Sequence, residues 1–480
     1  MSNLKEKTIH SVKWGSIGSF SNTAISFILG IILARLLDPS DYGIVGMTAI
    51  FFAIAGIFID SGLGSGLIHK KEISNSDTST VFYFNITASA LFCIILCLLS
   101  PLISDFLHTP VLTNIVRLSA VSMFIGSFGS IQYCLMKRNL DFKTPAIIGI
   151  YSNIVSGILG VILAYRGFGP WALVWQSFSN AIIRTLSVWW VSKWRPIASF
   201  SKKSFKSLFS YGGNITINSI LDTLYNQGTS LIIGKYYSPE SLGYYSKGQQ
   251  NAQMPSTFIA NIVGGVTFPV LSKIQDDEER LRAVYGRFMQ VLSLIIFFAM
   301  ILLLSIGKPF ILFLFSEKWL PAVIFLQIFC LRYMLYHVNM VNWYLLLAKG
   351  RTDLALKKEM VCKTINFSVL IASIPFGVIA IAYSQLTCSI IGIIVNTYVS
   401  GKYFNYGLKL QVKDFLPYLI KSFISCIPAF LITNTNWNPI LQIVLATAIS
   451  STLYFGYHFI IKDENLLELI KLSPLKRFAK

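Results

Sequence analysis

Apolar residues run along this chain in blocks of roughly 20, each long enough as a helix to cross a ~30 Å hydrocarbon core. Fourteen such blocks lie at 14–37, 42–68, 81–107, 114–136, 145–165, 169–191, 209–233, 248–271, 288–306, 321–347, 359–381, 383–400, 415–433 and 440–461. The pattern predicts an all-α membrane protein of about fourteen transmembrane helices. Composition agrees, since 13% of the 480 residues are charged, about half the ~25% of a soluble domain. The start, MSNLKEKTIHSVKWG, has lysines but no small-residue cleavage site before the first block, so no removable signal peptide is expected.

A net charge of +19 raises the question of nucleic acid, and the positions of the charges answer it. With the N-terminus in the cytoplasm, 31 of the 40 lysines and arginines fall in inner segments, counting Lys363 and Lys421 toward the inner ends of their blocks, and five in outer ones. The remaining four, Arg35, Arg117, Arg184 and Arg332, fall inside blocks. That asymmetry is the positive-inside signal of a multi-pass protein with both termini cytoplasmic. No nucleic-acid partner is expected.

The chain also repeats itself. At an offset of 200 residues, ILARLLDPSDYG (32–43) aligns with IIGKYYSPESLG (232–243), pairing Arg35 with Lys235, Pro39 with Pro239 and Gly43 with Gly243. Each half then holds six spans in the same membrane orientation, a parallel repeat of the kind found in transporters, with the substrate site expected near mid-membrane. The expected organisation is an N-lobe (1–191), a cytoplasmic linker (192–208), a C-lobe (209–401), then two added spans and a tail (402–480). The linker, SKWRPIASFSKKSFKSL, interleaves lysines with aromatics and reads equally as a segment lying on an anionic leaflet or as an ordinary loop.

Ionisable groups at mid-membrane cost ~2.5–3.5 kcal/mol on insertion scales, so depth ranks the candidates for a wet cavity. Arg35 and Arg117 lie close to span ends and can snorkel. Arg184, Arg332 and Asp222 lie deeper and are the candidates for contact with substrate. In span 7 the residues Tyr211, Asn214, Asn218, Asp222, Tyr225 and Thr229 recur at helical spacing on one face. They line a cavity or act as interhelical hydrogen-bonding glue, and the central charge favours the cavity. Asn22 supplies a similar polar position in span 1. Asp60, before SGLGSG, reads equally as a cap or hinge where a helix restarts and as a ligand or ion contact. His337 is a proton site or, more readily, a packed ring.

The seven cysteines all lie in expected spans, and none has a histidine at metal-ligand spacing, so they read as structural thiols. No HExxH or GxSxG motif is present. No enzyme, cofactor or metal site is therefore expected, and any energy coupling would come from a proton or sodium gradient or from the membrane potential.

Several segments are similar to one family. ARLLDPSDYGIVGM, IDSGLGSGLIHKKEIS followed by STVFYFN, CLMKRNLDF, SLIIGKYYSPESLGYYSKGQQ and FPVLSKIQDDEERLRAVYGRF resemble the bacterial Wzx-type polysaccharide-biosynthesis flippases, especially their colanic-acid exporter-like branch. The resemblance covers at least residues 10–290. It implies the two-lobed fold shared with MATE-type multidrug exporters and peptidoglycan-precursor flippases. It further implies an undecaprenyl-pyrophosphate-linked oligosaccharide as substrate, moved across the bacterial inner membrane for surface polysaccharide synthesis. Glycosyltransferases, a polysaccharide polymerase and membrane lipids are the implied neighbours. Related sequences often carry an aspartate five residues before the glycine of the IIGK-like motif, where this chain has Thr229, with Asp222 two turns earlier.

Two other readings compete. A multidrug or cation antiporter of the same fold would want an acidic cavity, against which the deep arginines argue. A membrane enzyme of polysaccharide assembly would need a reactive centre and commonly a large outer loop. The topology is testable directly: reporter fusions at Lys203 and Lys480 should read cytoplasmic and fusions within TNTNWNP (433–439) external. An external C-terminus would overturn the lobe assignment.

Overall fold

The computed structural model describes the backbone of residues 2–472, with side chains described except at 2–13, 210–218, 221, 261–269, 352, 353, 356 and 470–472. Its regular structure is helical throughout, in two compact units, residues 1–243 and 244–480. The first holds α1 (Ser2–Leu36), α2 (Pro39–Met47), α3 (Ala49–Asp60), α4 (Leu63–His69), α5 (Asn75–Phe106), α6 (Leu112–Ser127), α7 (Ser130–Arg138), α8 (Lys143–Tyr165), α9 (Pro170–Val191) and α10 (Lys202–Tyr236). Next comes α11 (Pro239–Lys273), whose first turn belongs to that unit. The second unit continues with α12 (Glu278–Ser305), α13 (Gly307–Phe315), α14 (Ala322–Tyr333), α15 (Tyr336–Ala348), α16 (Thr352–Ser373), α17 (Val378–Phe404), α18 (Leu408–Thr433), α19 (Pro439–Ile460) and α20 (Glu464–Leu472).

Each of the fourteen apolar blocks falls on helix. Among the described residues ten stretches are long and apolar enough to span a membrane, and the pair α6 and α7, bent by 42°, makes an eleventh. The other three expected spans are α9, α10 and α11, of 22, 35 and 35 residues, the more polar helices that carry several candidate site residues. Some boundaries move, for local reasons. The second span ends at Asp60 instead of running to 68, because Ser61 (φ 43°) and Gly62 (φ 68°) turn left-handed before α4 begins. The eleventh ends in a turn at Ile374–Phe376, and the twelfth starts after Gly377 (φ 98°), a conformation that glycine adopts without a Cβ clash. The short helices α13 and α20 were not expected.

Hydrocarbon does not drive apolar surfaces together, so close packing has to hold such helices. Between α1 and α8 it is done with small residues. A Cβ on Gly18 would overlap that of Ala146, a Cβ on Gly157 would overlap Leu29, and one on Gly149 would lie 2.9 Å from Asn22 Oδ1. In the second unit α12 is the central helix, with Met289, Leu292, Leu294, Ile296 and Phe297 all fully buried. Leucines and isoleucines such as Leu98, Leu102, Ile424 and Leu431 stay exposed, as lipid-facing positions require.

The sequence repeat reappears as a repeated local structure. Helices end at Leu36 and Tyr236 and restart at Pro39 and Pro239, an identical offset of 200 residues. Proline suits the first helical position because its missing N–H has no partner there in any case. Asp38 and Asp41 form a capping box at the first restart, and Ser238 Oγ accepts the Ser241 N–H (3.1 Å) at the second. All four repeat residues lie in the first unit, where they meet reciprocally: Gly43 lies against the Pro239 carbonyl and Gly243 against the Pro39 carbonyl. A side chain on either glycine would occupy the opposing backbone.

Helix α10, which the repeat places at the head of the second lobe, packs within the first unit on α2, α3, α4 and α5. The lobe limits 1–191 and 209–401 follow sequence correspondence, which is a separate matter from packing. The linker ahead of α10 has no regular structure over 192–201 and is held along α5. Trp194 Nε1 donates to Thr78 Oγ1 (3.2 Å), Ala198 N–H to Ser79 Oγ (3.3 Å) and Ser201 N–H to Thr80 Oγ1 (3.0 Å).

Gly43→Ala and Gly243→Ala should each destabilise this conformation by about 1–3 kcal/mol, as overpacking of a rigid contact does. Gly46→Ala, whose new Cβ would sit at an ordinary 3.5 Å from Leu242, is the control and should be tolerated. Thermal melting of the purified protein in detergent measures all three. Equal melting temperatures for the four proteins would contradict the seam.

Candidate functional site

In the first unit the candidate residues organise around α9. Asn22 on α1 donates to the Gly18 carbonyl (2.8 Å), and its Oδ1 accepts from Asn153 of α8 (2.9 Å). Asn153 Oδ1 in turn accepts from Asn180 of α9 (2.9 Å), whose amide also donates to Ser156 Oγ (3.0 Å). Three helices are thus joined by a ladder of half-buried amides. One turn along α9 from Asn180 is Arg184, exposed, with its guanidinium over the Tyr133 ring at 5.2 Å. The Tyr133 hydroxyl is buried without a hydrogen-bond partner.

Asp60 has a local role. Its carboxylate accepts the backbone N–H groups of Gly62 and Gly64 and so satisfies free amides at the start of α4. A Cβ on Gly64 would lie 3.0 Å from its Oδ1, which explains a glycine there. The far end of α4 is held by Arg138, which donates to the carbonyls of Leu67, Ile68 (3.1 Å), Lys70 and Lys71 (2.8 Å). Lys70 pairs with Asp77 at 2.7 Å, and Asp77 closes a capping box with Ser74 at the start of α5. The motif IDSGLGSGLIHKKEIS is therefore a broken and recapped helix, and CLMKRNLDF supplies the arginine that holds it.

The polar face expected on α10 changes character along its length. Tyr211, Asn214 and Asn218 lie outside the described side chains. Asp222 is exposed, whereas Tyr225 and Thr229 are buried and Thr229 Oγ1 donates back to the Tyr225 carbonyl (3.3 Å). The end of the stripe near Thr229 is thus packed, and Asp222 is exposed.

In the second unit Arg332 lies in the last turn of α14 and His337 in the first turn of α15. The Arg332 guanidinium lies over the rings of Phe329 (5.9 Å) and Tyr333 (5.2 Å), and one of its terminal nitrogens is buried with no hydrogen-bond partner. Among the described residues neither Arg184 nor Arg332 forms an ion pair. His337 is fully buried, with Nε2 at 2.9 Å from Ser293 Oγ and its ring against Phe297. Asn342 and Asn339 bind other helices: Asn342 joins Gln411 (2.9 Å) and Ser400 (2.6 Å), and Asn339 accepts from Asn396 (2.6 Å). These amides and His337 are interhelical connections. Arg332 and Arg184 lie in different units, and each forms its own aromatic-backed cation.

Sequence reasoning ranked buried charges and passed over Asn153, Asn180 and Tyr133. Applying the same depth criterion to amides would have found Asn153 and Asn180, which fall inside the fifth and sixth apolar blocks. It counted Arg138 only as an inner-loop charge. The network at the end of α19 was also missed, where His458 Nδ1 lies 2.9 Å from Asp463 and Asn465 donates to Tyr418 (2.8 Å) and Gln290 (3.1 Å), fastening α20 to the bundle.

Residues 32–324 match the family described as polysaccharide biosynthesis protein. This chain belongs to that family. It is 27% identical over 434 residues to the lipopolysaccharide biosynthesis protein WzxC of Escherichia coli K12, covering 88% of both chains. The teichuronic acid biosynthesis protein TuaB of Bacillus subtilis 168 is 26% identical over 431 residues, again with 88% of both covered. Among solved structures, the lipid II flippase MurJ in an inward closed conformation superposes with a TM-score of 0.76 at 17% identity, over 93% of this chain and 99% of that one. An inward-facing MATE multidrug resistance transporter gives 0.62 at 14% identity, over 80% and 95%. This family member therefore shares the transporter fold of those structures and is a multi-pass membrane protein.

Because Arg138 meets four carbonyls from one side chain, Arg138→Ala should release the α4 to α5 turn. A charge-assisted hydrogen bond contributes about 1.5–3 kcal/mol, so membrane abundance and melting temperature should both drop clearly. Arg138→Lys, without the fork, should recover part of the loss. Parent-like stability of the alanine variant would show that the turn holds without the arginine.

Proposed function

We propose that the protein flips an undecaprenyl-pyrophosphate-linked oligosaccharide repeat unit from the inner to the outer leaflet of the bacterial cytoplasmic membrane. It does so by alternating access, with both termini cytoplasmic, for assembly of a surface polysaccharide. The observation that carries this reading is Arg332. Arg332 is only partly buried, and its one sealed guanidinium nitrogen has no acceptor, which is costly in a helical bundle; an anionic ligand meeting the rest of the guanidinium offsets that cost. Arg184 offers a second cation held over a ring. Arginine's planar fork fits phosphate oxygens, while the polyprenyl tail can stay in lipid and the sugars cross along polar side chains. Membership of the polysaccharide biosynthesis family, and relatives named for lipopolysaccharide and teichuronic acid biosynthesis, support this substrate class.

The driving force need not be an ion gradient. An interior-negative potential supplies ~2.3 kcal/mol per charge per 100 mV, so outward movement of about two negative charges is favoured by roughly 4.6 kcal/mol. Asp222, exposed on α10, is the residue through which sodium or protons would act if they are coupled. Glycosyltransferases would supply the substrate and a polymerase would consume the product.

The assay is flipping of a labelled lipid-linked oligosaccharide in proteoliposomes, with membrane abundance measured in parallel. At either arginine, activity should fall in the order Arg, Lys, Ala, Glu, with the alanine variants losing a contact of about 1.5–3 kcal/mol at unchanged abundance. Normal flipping by both alanine variants would sink the cationic mechanism. Asp222→Asn should flatten any sodium or pH dependence; identical dependence in mutant and parent would remove Asp222 from coupling.

A further inference from the structure

The amide ladder of the first unit has a direction, and its end is open. Asn22 spends a hydrogen on Gly18 O, Asn22 Oδ1 accepts from Asn153, and Asn153 Oδ1 accepts from Asn180. Both hydrogens of the Asn180 amide are then engaged, one by Asn153 and one by Ser156. Asn180 Oδ1 is left with no donor among the described residues, and it is not sealed off, unlike Asn396 Oδ1, which is buried unpartnered in the second unit. A chain of amides in low dielectric polarises each member along it. The last oxygen is therefore an oriented acceptor that cannot turn into a donor without breaking two hydrogen bonds.

Arg184 follows four residues later on the same face of α9. At 1.5 Å per residue the two groups are about 6 Å apart along the helix, comparable to the reach from a phosphate to the hydroxyls of a sugar attached to it. The acceptor oxygen suits a group that donates, a sugar hydroxyl or an acetamido N–H, and not a phosphate oxygen. The guanidinium suits the phosphate and not the hydroxyl.

We propose that α9 carries a two-part subsite in which Arg184 holds the diphosphate and Asn180 Oδ1 reads the first sugar of the repeat unit. Asn153 and Asn22 are positioning residues that orient the Asn180 amide. Tyr133 supports the guanidinium with its ring face. Gly149 is part of the same device, because a Cβ there would lie 2.9 Å from Asn22 Oδ1 and 3.0 Å from its Nδ2 and would push Asn22 out of the ladder. The inference rests on the flippase reading and adds to it a residue that senses the sugar.

The test compares two lipids on the full-length protein in detergent: undecaprenyl pyrophosphate alone, and the same carrier bearing one N-acetylated hexose. Affinities are taken from quenching of intrinsic tryptophan fluorescence, with melting temperatures recorded for each variant. The parent should bind the sugar-bearing lipid more tightly than the bare carrier. Asn180→Leu should lower affinity for the sugar-bearing lipid by about 2- to 10-fold, the range for one neutral hydrogen bond, and leave the bare carrier unchanged. Arg184→Ala should weaken both lipids together. Gly149→Ala removes no hydrogen-bonding group, so a partial loss confined to the sugar-bearing lipid would support positioning through Asn22, and no loss in either variant would overturn the subsite. An equal loss for both lipids in Asn180→Leu would assign Asn180 to structure alone. Failure of the parent to bind either lipid would instead take down the flippase reading, and the two failures are therefore distinguishable.

Discussion

A polar group inside hydrocarbon must find its partner within the protein, because no water is there to supply one. Most of this structure follows from that constraint. Long helices satisfy their own backbones, and where a helix breaks the protein brings side chains to the exposed groups. The turn between α3 and α5 shows this in full: Asp60 takes the amides of Gly62 and Gly64, Arg138 takes four carbonyls, and Ser74 with Asp77 caps the next helix. A segment that reads as a candidate ion site in the sequence is thus also a closed account of backbone hydrogen bonds.

The same constraint separates two kinds of polar residue within the apolar blocks. Asn342, Asn339 and His337 have partners on neighbouring helices and hold the second unit together. Arg332 and Arg184 have aromatic rings but, among the described residues, no acid. A cation backed by a ring and left without an anion adds little to stability and is well placed to bind an anion that arrives later. The asparagine ladder belongs to both kinds, since it joins α1, α8 and α9 and still ends on an open oxygen.

Packing without a hydrophobic drive places its own demands. Close approach of backbones substitutes for apolar burial, and glycine makes it possible where Gly18 meets Ala146, Gly157 meets Leu29 and Gly43 meets Pro239. The last contact explains why Pro and Gly recur four residues apart in both copies of the repeat. Proline starts the helix, and the glycine one turn later lets the other copy come against it.

Hydropathy, the 200-residue repeat and the placement of lysines and arginines determined a great deal on their own: an all-α membrane protein with fourteen helical stretches, its family motifs and its deep cations. These are properties of period, length and local composition, which do not depend on what lies across the bundle. The tertiary structure decided the partners. That Asp222 is exposed while Thr229, on the same helical face, is buried could not be read from their spacing, because spacing fixes a direction around a helix and not the neighbour found there. Asn22, Asn153 and Asn180 are up to 158 residues apart in the chain, and only the packing of three helices makes them one ladder. Arg138 looked like an orientation charge until its reach to four carbonyls gave it a place. One sequence carries the capacity of each group to donate or accept, and the fold alone determines which of those capacities is already met and which is left for a substrate.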